Sequence, residues 1–158
     1  IEDRIAYQQS LPAKRMGAGC LIFNEAGQVL LVEPTYKPVW EIPGGVVEAN
    51  ESPKGACQRE VREELGLELN IGRLLCVDYN GETAEKTESL MFIFDGGIIT
   101  LDTIHNIRLQ EDELRTFRFF TPNTLPKQMT PSLRRRVLAA RSQADQEGAV
   151  YLVNQNFI

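Results

Sequence analysis

The chain has few of the residues that staple or cluster. Its 3 cysteines, Cys20, Cys57 and Cys76, are widely spaced and form no C-x-x-C pair. An odd, scattered set argues against a disulfide framework and for reduced thiols in or near a core. The single histidine, His105, has no nearby partners from which a zinc site could be built. The longest apolar runs, such as Val29–Val32, fall far short of the roughly 18–20 residues a membrane span requires. The first thirty residues show no basic start followed by an apolar stretch, so no signal peptide is predicted and the expected location is cytoplasmic. Basic charge is also scarce: 17 Lys and Arg stand against 22 Asp and Glu, a net charge of −5. That balance disfavours nucleic acid as a partner, because such binding rests on phosphate neutralisation. A small anionic substrate is compatible with it if a metal cation mediates. No segment repeats and none is of low complexity. What is present is 158 residues, 42% apolar and 25% charged, which predicts one soluble globular domain over residues 1–158.

Strands and helices are mixed along the chain, the pattern of an α/β domain with a mixed sheet. Arg15–Asn24 reads as a strand, Asn24–Gln28 as its Gly-containing turn and Gln28–Glu33 as the return strand. Val39–Ile42 reads as a further short strand, stopped by Pro43 and the Gly44-Gly45 pair. Leu69–Tyr79, Ser89–Phe94 and Leu114–Phe120 complete the predicted strands, with Ala149–Ile158 a terminal extended piece and Pro131–Gln146 a late helix. The clearest helix is Ser52–Leu65: Ser52 can cap it, Pro53 suits its first position and Gly66 suits its end.

The chemistry concentrates on that helix. Residues three and four apart share a helix face, so Glu60, Glu63 and Glu64 converge. Cys57, Val61 and Leu65 form an adjacent apolar seam for the core, which places the carboxylates on a groove wall. At an effective dielectric near 20, each carboxylate pair ~5–6 Å apart costs on the order of 3 kcal/mol. A divalent cation with hard oxygen ligands relieves that repulsion. A solvated acidic face with helix salt bridges is the alternative for a bare E-x-x-E-E.

The wider spacing decides between them. Gly45, Glu51, Arg59, Glu60, Val61, Glu63, Glu64, Gly66 and Leu67 reproduce Gly-x5-Glu-x7-Arg-Glu-U-x-Glu-Glu-x-Gly-U, with U aliphatic. Such a match would arise by chance on the order of 10⁻⁸ times per chain of this length. This is the Nudix box, and the chain resembles the Nudix hydrolase family; Trp40-Glu41-Ile42-Pro43-Gly44-Gly45 looks like the family's usual lead-in. The resemblance implies an α/β/α sandwich that hydrolyses a nucleoside diphosphate linked to another group X, using Mg²⁺ or Mn²⁺. It implies metal ligation by Glu60 and Glu64, by Glu63 as ligand or base, and by a backbone carbonyl at Gly44 or Gly45. Arg59 is expected to pair with Glu51 and hold the loop against the helix, with Gly44 and Gly66 in structural roles. In the family the general base comes either from the box or from a later loop; in the downstream segment Gln110–Phe120 Glu113 matches that acidic position best and Glu111 is the alternative, while a plain charged loop before a strand is the other reading of that segment.

Tyr36 and Trp40 are candidates to line the pocket for the base or for X. Arg134–Arg136, with Lys127 and Arg141, read as the solvated face of a helix, with a seat for a terminal phosphate or a partner as the alternative. The resemblance also makes a homodimer an expectation, with residues 1–14 as an arm on a second subunit. A non-catalytic nucleotide-sensing or partner-binding module is the other reading; the complete box favours an active enzyme.

Overall fold

The computed structural model describes residues 2–158. Nine-residue α1 (Glu2–Ser10) precedes β1 (Arg15–Phe23) and β2 (Val29–Pro34). Then come β3 (Gly44–Val46), α2 (Pro53–Leu65), β4 (Leu74–Asn80), β5 (Ser89–Ile98) and α3 (Leu101–His105). The chain closes with β6 (Leu114–Phe120), α4 (Pro131–Gln143), β7 (Val150–Val153) and β8 (Asn156–Phe157). The strands form one eight-stranded mixed sheet in the order β6-β2-β1-β5-β4-β7-β8, with β3 beside β1. β1 runs parallel to β5 and β4 parallel to β7; the other pairs are antiparallel.

Two cores flank the sheet, because successive residues of a strand point to opposite faces. Ala18, Cys20 and Ile22 of β1 pack with Cys57, Val61 and Leu65 of α2. Leu21 and Phe23 pack on the other face with Val137 and Ala140 of α4. A strand buried on both faces reads as a continuous apolar run, which is how β1 appears in the sequence. The layering is therefore helix, mixed sheet, helix. Cys20, Cys57 and Cys76 are buried free thiols. No helix among the described residues is long and apolar enough to cross a membrane.

The local structure departs from the sequence expectations in several places. Val39–Ile42 is not a strand: Glu41 alone bridges Val32, and the strand comes after Pro43, where Gly44–Val46 pairs with Gly17–Gly19. The glycine pair does not stop the chain but lets it close on β1, since a Cβ on Gly44 would lie 2.4 Å from the Ala18 carbonyl oxygen. Pairing in β4 starts at Leu74, not Leu69, and β5 runs on to Ile98. α3 was not expected; Thr100 caps it through its hydroxyl, 3.3 Å from the Thr103 N–H. The terminal extended piece is a hairpin, turned by Asn154 and Gln155 at φ 49° and 64°. A two-residue turn with both φ positive matches the twist of paired strands.

The arginine-rich start of α4 is a solvated face only in part, with Arg135 exposed. Arg136 turns inward to Asp78 of β4 at 2.8 Å, Arg135 donates to the Gln155 side chain at 2.8 Å and Arg134 donates to the Pro126 carbonyl. Asp78 is fully buried, so a charge there needs a cation. Residues 3–10 of α1 are exposed along their length, with Ile5, Tyr7 and Leu11 at the surface.

Candidate active site

α2 carries the carboxylates, and its ends are fixed locally. The Ser52 hydroxyl accepts from the Gly55 N–H at 3.0 Å, Pro53 occupies the first turn and Gly66 closes the helix at φ 67°. A side chain on Gly66 would also press on Arg108, 3.2 Å away. The backbone beyond the helix is pinned to its last turn: Arg108 donates to Leu65 at 2.8 Å and Gln110 to Glu64 at 3.1 Å.

Glu60 and Glu64 converge on the Gly44-Gly45 backbone. Glu64 is buried, and its Oε1 accepts from the Gly44 N–H at 3.0 Å. A Cβ on Gly45 would lie 2.6 Å from the Glu60 carboxylate, so the missing side chain leaves room for that group. Burial, opposed by the Gly44 hydrogen bond and reinforced by Glu60 and Glu41, pushes the Glu64 acid up to about 9. Burial also raises Glu60, with Arg59 opposing it. Two crowded, partly dehydrated acids facing a glycine backbone form a hard-oxygen donor set that suits a small divalent cation. Among the described residues no three His, Cys, Asp or Glu side chains are already gathered at metal-binding distance.

Arg59 is the hub of the motif. It grips Glu51 with two hydrogen bonds, at 2.7 and 3.0 Å, and donates to the Val46 carbonyl at 3.1 Å. It also reaches Glu60 at 2.9 Å and Glu63 at 3.3 Å. Glu51 in turn accepts from the Glu48 N–H at 3.1 Å, so the loop after β3 is tied to α2. Arg59 holds the Glu51 carboxyl below the ordinary range. Glu63 is half-exposed at the rim.

Glu113 stands on the segment that is pinned to the end of α2. Its carbonyl accepts from the Thr35 N–H at 2.8 Å, and among the described residues its side chain makes no hydrogen bond or ion pair. Glu111 is exposed on the same turn. Tyr36 is 71% exposed, whereas Trp40 is 8% exposed and packs edge-on against Phe120 at 5.1 Å. The structure adds Glu41, which the sequence reading passed over. Its charge is felt at Glu64, and its carboxylate holds Lys37 at 2.6 Å. The available signal was a carboxylate three residues ahead of Gly44.

Helices on both faces of a mixed sheet, with an acidic helix packed against the Gly44-Gly45 strand, form an α/β/α layering that sets carboxylates beside a glycine backbone. The family model for the NUDIX domain matches residues 13–140, and the chain belongs to that family. Diphosphoinositol polyphosphate phosphohydrolase 2 of Rattus norvegicus is 42% identical over 73 residues, 44% of this chain and 41% of that protein. A putative 8-oxo-dGTP diphosphatase of Bacillus subtilis (strain 168) is 27% identical over 121 residues, 77% of this chain and 76% of that one. The chain thus spans about 41% of the length of the first of these relatives. Among solved structures, the MutT protein of Methanosarcina mazei Go1 superposes with a TM-score of 0.69 at 23% identity, covering 87% of this chain and all (100%) of that one. At that identity the likeness speaks for the fold.

Proposed function

We propose that this chain is a divalent-metal-dependent hydrolase of a nucleoside diphosphate linked to a further group X, in which water attacks phosphorus of the diphosphate. The observation that carries this reading is the convergence of Glu60 and Glu64 on the Gly44-Gly45 backbone within a complete box. The names of the relatives add support: a phosphohydrolase and a diphosphatase both cleave phosphate linkages.

Glu60, Glu64, Glu63 and the Gly45 carbonyl would hold Mg²⁺ or Mn²⁺. When bound, such an ion neutralises the diphosphate and acidifies the attacking water. The chain supplies the rest. Arg59 keeps Glu60 and the loop after β3 in register with α2, so the donors stay placed while the substrate changes charge. Either Glu113 or Glu63 takes the proton of the attacking water; both carboxylates stand at the surface, where a water can reach them. Tyr36 offers an exposed ring to X, and Trp40 acts from beneath by fixing the start of the Glu41–Gly45 segment.

The test is a substrate panel of nucleoside triphosphates, oxidised nucleotides, ADP-ribose, sugar nucleotides, dinucleoside polyphosphates and diphosphoinositol polyphosphates, each with Mg²⁺ or Mn²⁺. Glu64→Gln runs beside the natural chain. One substrate cleaved well above the rest, and lost in Glu64→Gln, is the expected result. Silence across the panel from a folded, metal-binding protein, or normal turnover by Glu64→Gln, would overturn the reading.

A further inference from the structure

Lys37 lies at the tip of the segment between β2 and β3, outside everything assigned so far. The segment is pinned on both sides of that tip. Thr35 donates its N–H to Glu113 at 2.8 Å and its hydroxyl to the Asp112 carbonyl at 3.1 Å. Beyond the tip, Trp40 donates to the Gln128 carbonyl at 2.7 Å, and Glu41 exchanges two backbone hydrogen bonds with Val32, both 2.8 Å. Between these anchors the Lys37 ammonium sits 2.6 Å from Glu41 Oε1 and 5.4 Å above the Tyr36 ring centroid.

Glu41, the partner of Lys37, stands close along the chain to the carboxylate site. Two residues, Ile42 and Pro43, separate Glu41 from Gly44, whose N–H holds Glu64, a span of at most about 10 Å of chain. The surroundings are strongly acidic: Glu41, Glu48, Glu51, Glu60, Glu63 and Glu64 all bear on the same few turns. The guanidinium among them, Arg59, is committed to Glu51, Glu60, Glu63 and the Val46 carbonyl. A polyanionic substrate therefore finds Arg59 already committed; of the other two cations on α2, Arg62 is paired with Glu68 and Lys54 stands exposed in the first turn, six residues before Glu60. Lys37 has one carboxylate partner, and both side chains are about a third or more exposed, at 44% and 34%. An exposed pair of this kind is worth little in water and exchanges readily. A lysine is a compact charge on a flexible stem, suited to a terminal phosphate, and the Tyr36 ring restrains it near the site during the exchange.

We infer that Lys37 is a phosphate-binding residue of this site, leaving Glu41 for the outer phosphates of the substrate, so that the chain favours X groups that carry phosphate over X groups that end in an uncharged sugar. The inference rests on the reading of the site as a diphosphate hydrolase and names the class of X. Glu41 is the placeholder that keeps the ammonium aimed at the site until phosphate arrives.

Calorimetric titration of the full chain with inorganic triphosphate and pyrophosphate, each in Mg²⁺, tests this without turnover or a chosen base. The natural chain should bind triphosphate more tightly. Lys37→Met should weaken triphosphate binding about tenfold, the loss of one charged contact, and leave pyrophosphate binding within about twofold. Lys37→Arg should restore most of the loss, and Glu41→Gln should tighten triphosphate binding a few-fold. Equal binding of the two anions by the natural chain, or an unchanged triphosphate preference in Lys37→Met, overturns the proposal. With substrates, Lys37→Met should raise KM for phosphate-bearing X and spare kcat, and leave both constants unchanged for ADP-ribose. Loss of kcat alone would overturn it. If Lys37 governs triphosphate binding yet no substrate is cleaved, the hydrolase reading falls and the phosphate site stands. If cleavage is normal and Lys37 is indifferent, the reverse holds.

Discussion

Cutting Arg136 from Asp78 should unseat the helix α4 on one face of the sheet and the β7–β8 hairpin at its edge. Asp78 is fully buried on β4, and its carboxylate accepts from Arg136 Nε at 2.8 Å and from the Gln155 backbone and side-chain amides, both at 3.0 Å. Arg136 Nη2 also donates to the Asn80 side chain at 3.2 Å. One carboxylate thus joins β4, α4 and the β7–β8 turn. Removing one partner of a buried pair leaves an uncompensated charge, which costs about 3–5 kcal/mol. For a chain of this length each kcal/mol lowers Tm by about 2–4 °C, so Arg136→Leu should lose about 6–20 °C. Removing the carboxylate as well cancels the orphaned charge, though Gln155 still loses its acceptor. The double variant Asp78→Leu/Arg136→Leu should therefore be less damaged than the sum of its parts by about 1.5–3 kcal/mol. Urea unfolding followed by circular dichroism measures Arg136→Leu, Asp78→Leu and the double variant, with exposed Lys127→Met as a control expected within about 0.5 kcal/mol of the natural chain. A cost below about 1 kcal/mol for Arg136→Leu, or additivity within about 0.5 kcal/mol, would refute the account of this network.

At the site, Gly45→Ala should place a methyl group against the Glu60 carboxylate, 2.6 Å from its carbon, and lower kcat by about a hundredfold. Because the clash is with the end of a flexible side chain, Tm should hardly move, and a variant that unfolds instead would refute that placement. Glu113→Gln should lower kcat by about 10²–10⁴ if Glu113 takes the proton, and an unchanged rate passes that role to Glu63. Glu51 is held below its ordinary value by Arg59, so the stability it contributes is present above its unfolded value, near 4.5, and is lost as the pH falls through its lower folded value. Arg59→Met should flatten the acid limb of the Tm against pH curve below about pH 4.5, and coincident limbs would count against the pairing.

How much of this could be read from the chain follows from how local each contact is. α2 was legible end to end because Ser52, Pro53 and Gly66 act within one turn of themselves, and because carboxylates three and four apart must share a face. The two faces of β1 were legible as an apolar run but not as two separate cores, since that division depends on which helix covers which side. The strand at Gly44–Val46 was misplaced because its evidence lies in β1: nothing in Pro43-Gly44-Gly45 states that Ala18 offers a carbonyl where a Cβ would collide. Asp78 and Arg136 are 58 residues apart, and a basic run on a helix looks the same whether it meets solvent or a buried acid. Glu41 and Lys37 sit at a helical spacing inside a segment that is not a helix, so pattern reading gave them no reason to meet. The sheet brings them together by bonding Glu41 to Val32 and Thr35 to Glu113, and this aligns one flexible cation with a fixed set of acids. A motif can thus name the groups proposed to bear on phosphorus, while the cation proposed to choose among substrates is placed by strand register, and register is where a single sequence is least explicit.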